Sequence, residues 1–384
     1  MLPLHGIKVV EFCEVASGPF CGMLLADMGA DVIKVERTGA GDSMRQWPPI
    51  SNGFSENFAS LNRNKRSIAL DLKNAADRDT ARRLVLDADV VVENYRPGVM
   101  ARNGLGYAEL SAEKPAIVYC SISAFGQTGP RAGEGGFDLT IQAIGGVMSV
   151  TGEADGAPIK CGVPIADFSA GLYAGFSIAA ALRRRELTGQ GEHIDVSMLG
   201  ATLGVAALQT SEYFGTGNDP RKLGSAHPRN APYQAFRAAD GHFAMAAGND
   251  RLWAAVCEGI KRPELAGDPR FVSTATRTAN QTELRDLLEG VFGDAGTAHW
   301  ISVFTDLGVP CAPISSYSEI LNDAQVEHMN WVRELTLPSG VTTKTFISPV
   351  LLSGKNLEIR LPPPELGEHR DAIIAALLAD TQPA

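Results

Sequence analysis

The chain has 384 residues, 45% of them hydrophobic, and 34 Lys and Arg against 44 Asp and Glu leave a net charge of -10. That length fits one large domain or two ordinary ones of roughly 100–200 residues each, and the apolar fraction excludes disorder as the main state. An acidic balance makes a general nucleic-acid or anionic-membrane binder a poor reading. No run of about 18 or more apolar residues argues for a bilayer span.

Strand and helix signals alternate through the first half. Ile7–Phe12 (IKVVEF) reads as a short β-branched strand starting almost at Met1, which leaves no room for a leader and points to a cytoplasmic protein. Gly18-Pro19 follows, Pro19 suits the first turn of a helix running to Ala30, and Gly29 marks its end. Asp31–Glu36, Ser67–Leu72, Asp89–Glu93 and Ala116–Ser121 are the next strands, with a helix over Ala75–Asp87. Such βαβ units predict a parallel sheet with helices on its faces, an α/β Rossmann-like large domain.

From Asp138 the chain becomes apolar and glycine-rich, and Gly152–Gly156 forms a polar loop. Ser169–Arg185 is a long helix rich in small residues, with arginines in its last turn where they complement the helix dipole. His193–Met198 reads as a strand and Leu199–Phe214 as a helix, and Gly215–Pro228 is the best linker candidate. Asp240-Gly241 then signals a hairpin between Tyr233–Arg237 and His242–Ala246. Helical patterns continue to Leu307, β signals return at Val332–Leu337 and Phe346–Leu352, and a last helix covers Ala372–Leu378. The expected division is therefore residues 1–215 for the first part of a large domain, 216–325 for a smaller α+β domain, and 326–384 for a return to the large one.

The six cysteines stand singly with no CxxC, and no histidine spacing suits a metal, so a metal enzyme is not expected. The first βαβ unit ends at Glu36, where a dinucleotide fold places its ribose acid, but the turn Glu14–Pro19 has one glycine and no GxGxxG. What remains is a helix N-terminus suited to an anion, with Arg37 beside it. The basic run Asn62–Arg66 (NRNKR) near that anion site points to a phosphate-rich ligand, against the ordinary reading of a solvated charged face. Asp167 has two readings. It either caps the small-residue helix through backbone N–H groups, or it is a desolvated nucleophile toward an activated acyl group. Residue pattern leaves both open.

A set of ordered stretches then resembles one family. They include Leu25–Arg37 (LADMGADVIKVER), Asn64–Leu72 (NKRSIALDL), Glu93–Gly98 (ENYRPG) with Arg102, Ser121–Pro130 (SISAFGQTGP), Gly162–Gly171 (GVPIADFSAG), Thr188–Asp195 (TGQGEHID) and Gly308–Pro313 (GVPCAP). Spread over nearly the whole chain, they resemble the class III CoA-transferases, the group of the formyl-CoA and carnitine CoA-transferases. The resemblance implies an interlocked homodimer with the small domain inserted in the large one. It implies Asp167 as the nucleophile, no permanently bound cofactor, and acyl-CoA as substrate. CoA is then expected against Val15, Ala16, Ser17, Arg37, Leu70, Lys73, Asn94, Tyr95, Arg102, Ser123, Ala124 and Phe125. Glu14 and Ala16 stand where formyl-CoA transferases carry His and Gln, which weakens an oxalate or formate specificity. The expected exchange takes CoA from an acyl-CoA donor, with succinyl-CoA favoured, to a small carboxylic or dicarboxylic acid. A 2-methylacyl-CoA racemase of the same fold is the alternative, although Phe137 stands where racemases carry a base. A non-catalytic CoA-binding protein is the other.

Overall fold

A computed structural model describes residues 1–379. Six strands form its main sheet: β1 (Lys8–Phe12), β2 (Asp31–Glu36), β3 (Lys65–Ala69), β4 (Val90–Glu93), β5 (Val118–Ser123) and β6 (Glu192–Ser197). Their order is β3-β2-β1-β4-β5-β6, and every neighbouring pair is parallel. The chain builds outward from β1 to β3, then returns to place β4 on the other side of β1. That reversal opens a crevice at the carboxyl ends of β1 and β4, where α/β sheets bind their ligands.

β4 and β5 are buried along their whole length because helices cover both faces of the sheet. On one face lie α1 (Ser17–Asp27), α3 (Asp138–Ile144), α4 (Ile165–Thr188) and α5 (Met198–Val205), where Leu25, Ala26, Ala170, Ala174 and Ile178 bury Val9, Val90 and Val118. On the other lie α2 (Ala75–Asp87) and the C-terminal helix Arg370–Ala379, where Ala81, Leu84, Ile373 and Leu377 meet Val10, Ile33 and Val91. By length and composition alone α4 is long and apolar enough to cross a membrane, contrary to the expectation of no such segment. Here it is a packed helix. Small residues let it close on α1, and a Cβ on Gly171 would lie 2.8 Å from the Ser17 carbonyl oxygen.

Several boundaries differ from the sequence reading. The helix expected from Ser169 begins at Ile165, after Pro164, with the Ala166 N–H of its first turn satisfied by the Asp138 carboxylate. The strand expected at Ser67–Leu72 sits two residues earlier, in register with β2. Leu199–Phe214 divides at Ala206 into α5 and a helix over Ala207–Thr216. Thr342–Phe346, not Phe346–Leu352, pairs with Val332–Thr336.

The described residues separate into two compact units, one of Met1–Val147, Lys160–Asn218 and residues 324–379, the other of Met148–Ile159 with Asp219–Asp323. Residues 148–159 thus group with the second unit and interrupt the expected 1–215 segment of the large one. In the second unit β7 (Tyr233–Ala238), β8 (Gly241–Ala246) and β9 (Cys311–Pro313) form an antiparallel sheet. Helices α6 (Asp250–Gly259), α7 (Gln281–Phe292) and α8 (Thr297–Asp306) pack on it around Phe236, Phe243, Phe292, Trp300 and Phe304.

Candidate active site

A cavity of about 360 Å³ opens at the carboxyl ends of β1, β4 and β5. Its wall takes Glu14, Val15 and Ala16 from the turn before α1, Ser17 at the start of α1, Asn94 and Tyr95 after β4, Ser123 at the end of β5 with Ala124 after it, and Asp167 from α4. Seven of the twelve residues nominated for CoA therefore meet Asp167 on one surface: Val15, Ala16, Ser17, Asn94, Tyr95, Ser123 and Ala124.

The other five lie outside that lining. Arg37 is exposed at its edge, its Nε bonded to the Gly41 carbonyl at 2.8 Å and its guanidinium 3.8 Å from Glu14. Lys73 and Arg102 are exposed. Leu70 is closed off in the apolar core. Phe125 is half-buried beneath the Arg131 guanidinium, 4.1 Å from its ring centroid.

Backbone geometry shapes the wall. Val15 has φ of 67°, a left-handed conformation costly for a β-branched residue. Its N–H donates to both Asp42 carboxylate oxygens, at 3.1 and 3.3 Å. Asn94 clasps the preceding residue, accepting from the Glu14 N–H at 2.9 Å and donating to its carbonyl at 2.8 Å. Glu93, buried at the end of β4, accepts from the Tyr95 N–H at 2.9 Å, and its burial raises its pKa to about 7. Ala16 caps α1 without a side-chain bond, and the N–H groups of Ala16, Ser17 and Gly18 have no acceptor among the described residues. They are donors available to an anion.

Asp167 occupies the first turn of α4, and its carboxylate has no hydrogen bond or ion pair among the described residues. The capping role falls instead to Asp138 of α3, whose Oδ1 accepts from the Ala166 N–H at 3.0 Å while Oδ2 accepts from Gln142 at 2.7 Å. Burial, with a smaller contribution from the Asp138 charge, raises the Asp167 pKa from the ordinary carboxylate value to about 7. A partly ionised, unpartnered carboxylate on a cavity wall is equipped for nucleophilic or general-base chemistry.

The basic run Asn62–Arg66 proves to be structural. Arg63 is buried against Asp27 at 2.6 Å, Lys65 is buried against Glu11 at 2.9 Å, and Arg66 pairs with Asp31 at 2.5 Å. None of the three lines the cavity, so the phosphate-binding reading of this run is withdrawn: its charges are already neutralised within the fold. Sequence reasoning in turn missed Arg96, Glu134 and Met198 on the lining. Arg96 lies within the ENYRPG stretch, so its neighbours carried a usable signal, whereas Met198 follows β6 with no local mark.

The model of the family described as CoA-transferase family III matches residues 4–370. The mouse protein named succinyl-CoA:glutarate CoA-transferase is 38% identical over 379 residues, 98% of this chain and 87% of that one. Agrobacterium fabrum succinate–glutarate CoA-transferase is also 38% identical, over 98% of this chain and 96% of its own length. The crystal structure of a CAIB/BAIF family protein from Brucella suis superposes with a TM-score of 0.86 at 39% identity, covering 98% of this chain and 99% of that one.

Proposed function

This chain belongs to CoA-transferase family III, and we propose that it carries CoA from succinyl-CoA to a dicarboxylic acid by way of the Asp167 carboxylate. The observation that carries this reading is an unpartnered carboxylate with a pKa near neutrality on the cavity wall. The relatives' names supply the dicarboxylate class.

An Asp167 oxygen attacks the thioester carbonyl carbon. The C–S bond breaks, and CoA leaves as a thiolate, giving an aspartyl–acyl anhydride. The thiolate then attacks the aspartyl carbonyl, releasing the donor carboxylate and forming an aspartyl-CoA thioester. The acceptor carboxylate takes the reverse route and departs as its CoA ester, returning Asp167. Each step exchanges one anion for another, so no net proton or electron is required. The N–H groups of Ala16, Ser17 and Gly18 are the donors we assign to the thioester oxyanion. The anhydride must be kept from water while it lasts. The acyl-pantetheine end of CoA would lie along Val15–Ser17, Asn94, Tyr95, Ser123 and Ala124. The exposed cations Arg37, Lys73 and Arg102 would take its nucleotide end, and Leu70, closed in the core, has no direct part.

Two-base racemisation fits less well. Phe137 lines the cavity without a titratable group, and both oxygens of Asp138 already accept, one from the Ala166 N–H and one from Gln142. No deuterium should enter the α-position of a 2-methylacyl-CoA incubated with the enzyme in heavy water.

A homodimer, interlocked as the resemblance implies, accounts for large apolar side chains left open on the first unit. Phe176 of α4 is 76% exposed, and Phe214 of the helix Ala207–Thr216 is 82% exposed. Sedimentation should show about twice 40.7 kDa at every dilution, and a concentration-dependent monomer would count against interlocking.

The decisive experiment adds hydroxylamine to enzyme and succinyl-CoA. A hydroxamate on Asp167, found in a tryptic peptide, is expected. A label on another carboxylate, or none with full transfer activity, overturns the assignment.

A further inference from the structure

We infer that Lys34 is a positioning residue for the transfer reaction: its buried ammonium holds the Cys13–Val15 turn, and through it the cavity wall, in a conformation the turn does not adopt by itself. The inference rests on the reading of this cavity as the site of acyl transfer.

Lys34 lies on β2 with no exposed side-chain area and does not line the cavity. Its Nζ has three acceptors for three protons: the Cys13 carbonyl at 2.8 Å, Asp42 Oδ2 at 3.0 Å and Glu11 Oε1 at 3.3 Å. Two of them grip the turn. The Cys13 carbonyl is held directly, and Asp42 in turn accepts the Val15 N–H. Asp42 is itself fixed, accepting from the Met44 N–H at 3.0 Å while its own N–H donates to Glu36 at 3.1 Å.

The turn needs such a grip. Val at φ 67° is a conformation that persists only where the surroundings impose it, and Val15 lies between Glu14 and Ala16 on the wall itself. Release would let Val15 relax toward negative φ and swing the free N–H groups at the start of α1. Burial by itself would lower the lysine, yet the carboxylates of Asp42, Glu11 and Glu36 outweigh it and keep the ammonium charged.

Arg63 provides the control. It too is a buried cation paired with a carboxylate, Asp27, but it bonds the Phe346 carbonyl and no residue of the turn. Lys34→Met and Arg63→Met should both lower the melting temperature. Only Lys34→Met should slow acylation of Asp167 by succinyl-CoA, by about a hundredfold, the usual consequence of an ångström-scale misplacement. In Lys34→Met the added change Val15→Gly, which removes the cost of positive φ, should restore at least tenfold of that loss. Equal acylation rates in Lys34→Met and Arg63→Met, or no restoration by Val15→Gly, would overturn the inference. If Lys34→Met does not accumulate folded, Asp42→Asn carries the same expectations, since it removes the charge the ammonium holds. Absence of any Asp167 adduct in the wild type would refute the functional reading instead, which keeps the two failures distinguishable.

Discussion

Two groups of charge, one buried and one half-buried, lie at the same end of β1 and are treated in opposite ways. Beneath the turn, Glu11, Lys34, Lys65 and Asp42 are all but solvent-free, and each is paired with a partner of opposite sign. On the cavity wall Asp167 has none, and burial displaces its pKa toward neutrality. An unpaired charge withdrawn even partly from water is costly, so its persistence beside a paired cluster separates a reactive group from a structural one. The paired cluster holds shape, and the single carboxylate holds reactivity.

Removing the unpaired member should give the largest functional effect and almost no structural one. Asp167→Asn is expected to lower transfer by about three orders of magnitude or more, because covalent catalysis has no substitute nucleophile. Its circular dichroism should match the wild type, since Asp138 provides the cap. Near-normal turnover would erase the contrast.

Removing a paired member should do the reverse. Arg63→Met leaves Asp27 buried and uncompensated and is expected to cost about 3–5 kcal/mol of stability by denaturant titration, with the kcat of the surviving folded fraction unchanged. A matching fall in kcat would show that the paired charges also serve the chemistry.

Titration sharpens the comparison further. The nucleophile must be ionised, so the acylation rate should rise with pH up to about 7 and level off above it. The stability effect has the opposite sign. A carboxyl raised in the folded state binds its proton more tightly there than in the unfolded chain, so its contribution is lost as pH climbs from about 4 to 7. Asp167→Asn should therefore melt above the wild type at pH 7 and close to it at pH 4. A melting difference independent of pH would contradict the raised pKa.

The smallest effect belongs to Asp138→Asn. Asparagine keeps the oxygen that caps Ala166 but loses the acceptor for Gln142, so stability should fall by about 1 kcal/mol. Loss of the neighbouring negative charge should shift the acylation profile to lower pH by a fraction of a unit, because the Asp138 charge is the lesser of the two causes raising Asp167. An unmoved profile would assign the whole displacement to burial.

The local alphabet of this chain was sufficient for its elements. β-Branched runs such as Val90–Val92 mark strands buried on both faces, and Pro19 and Gly29 bracket a helix whatever surrounds it, because φ preferences and side-chain branching act within a few residues. Sequence similarity also nominated Asp167 and the turn before α1. Three things depended on contacts far apart in the chain. The NRNKR run reads as an exposed basic patch until Asp27, Glu11 and Asp31 are brought against it. Asp167 reads equally well as a helix cap until Asp138, 29 residues earlier, takes that role and leaves it without a partner. The left-handed Val15 contradicts its own propensity and is held by Asp42 and Lys34, whose positions relative to the turn are set by the pairing of β1 with β2. Burial and charge pairing are properties of an assembled environment, so the elements were local knowledge, and the roles of these charged residues became definite only when the sheet had closed around them.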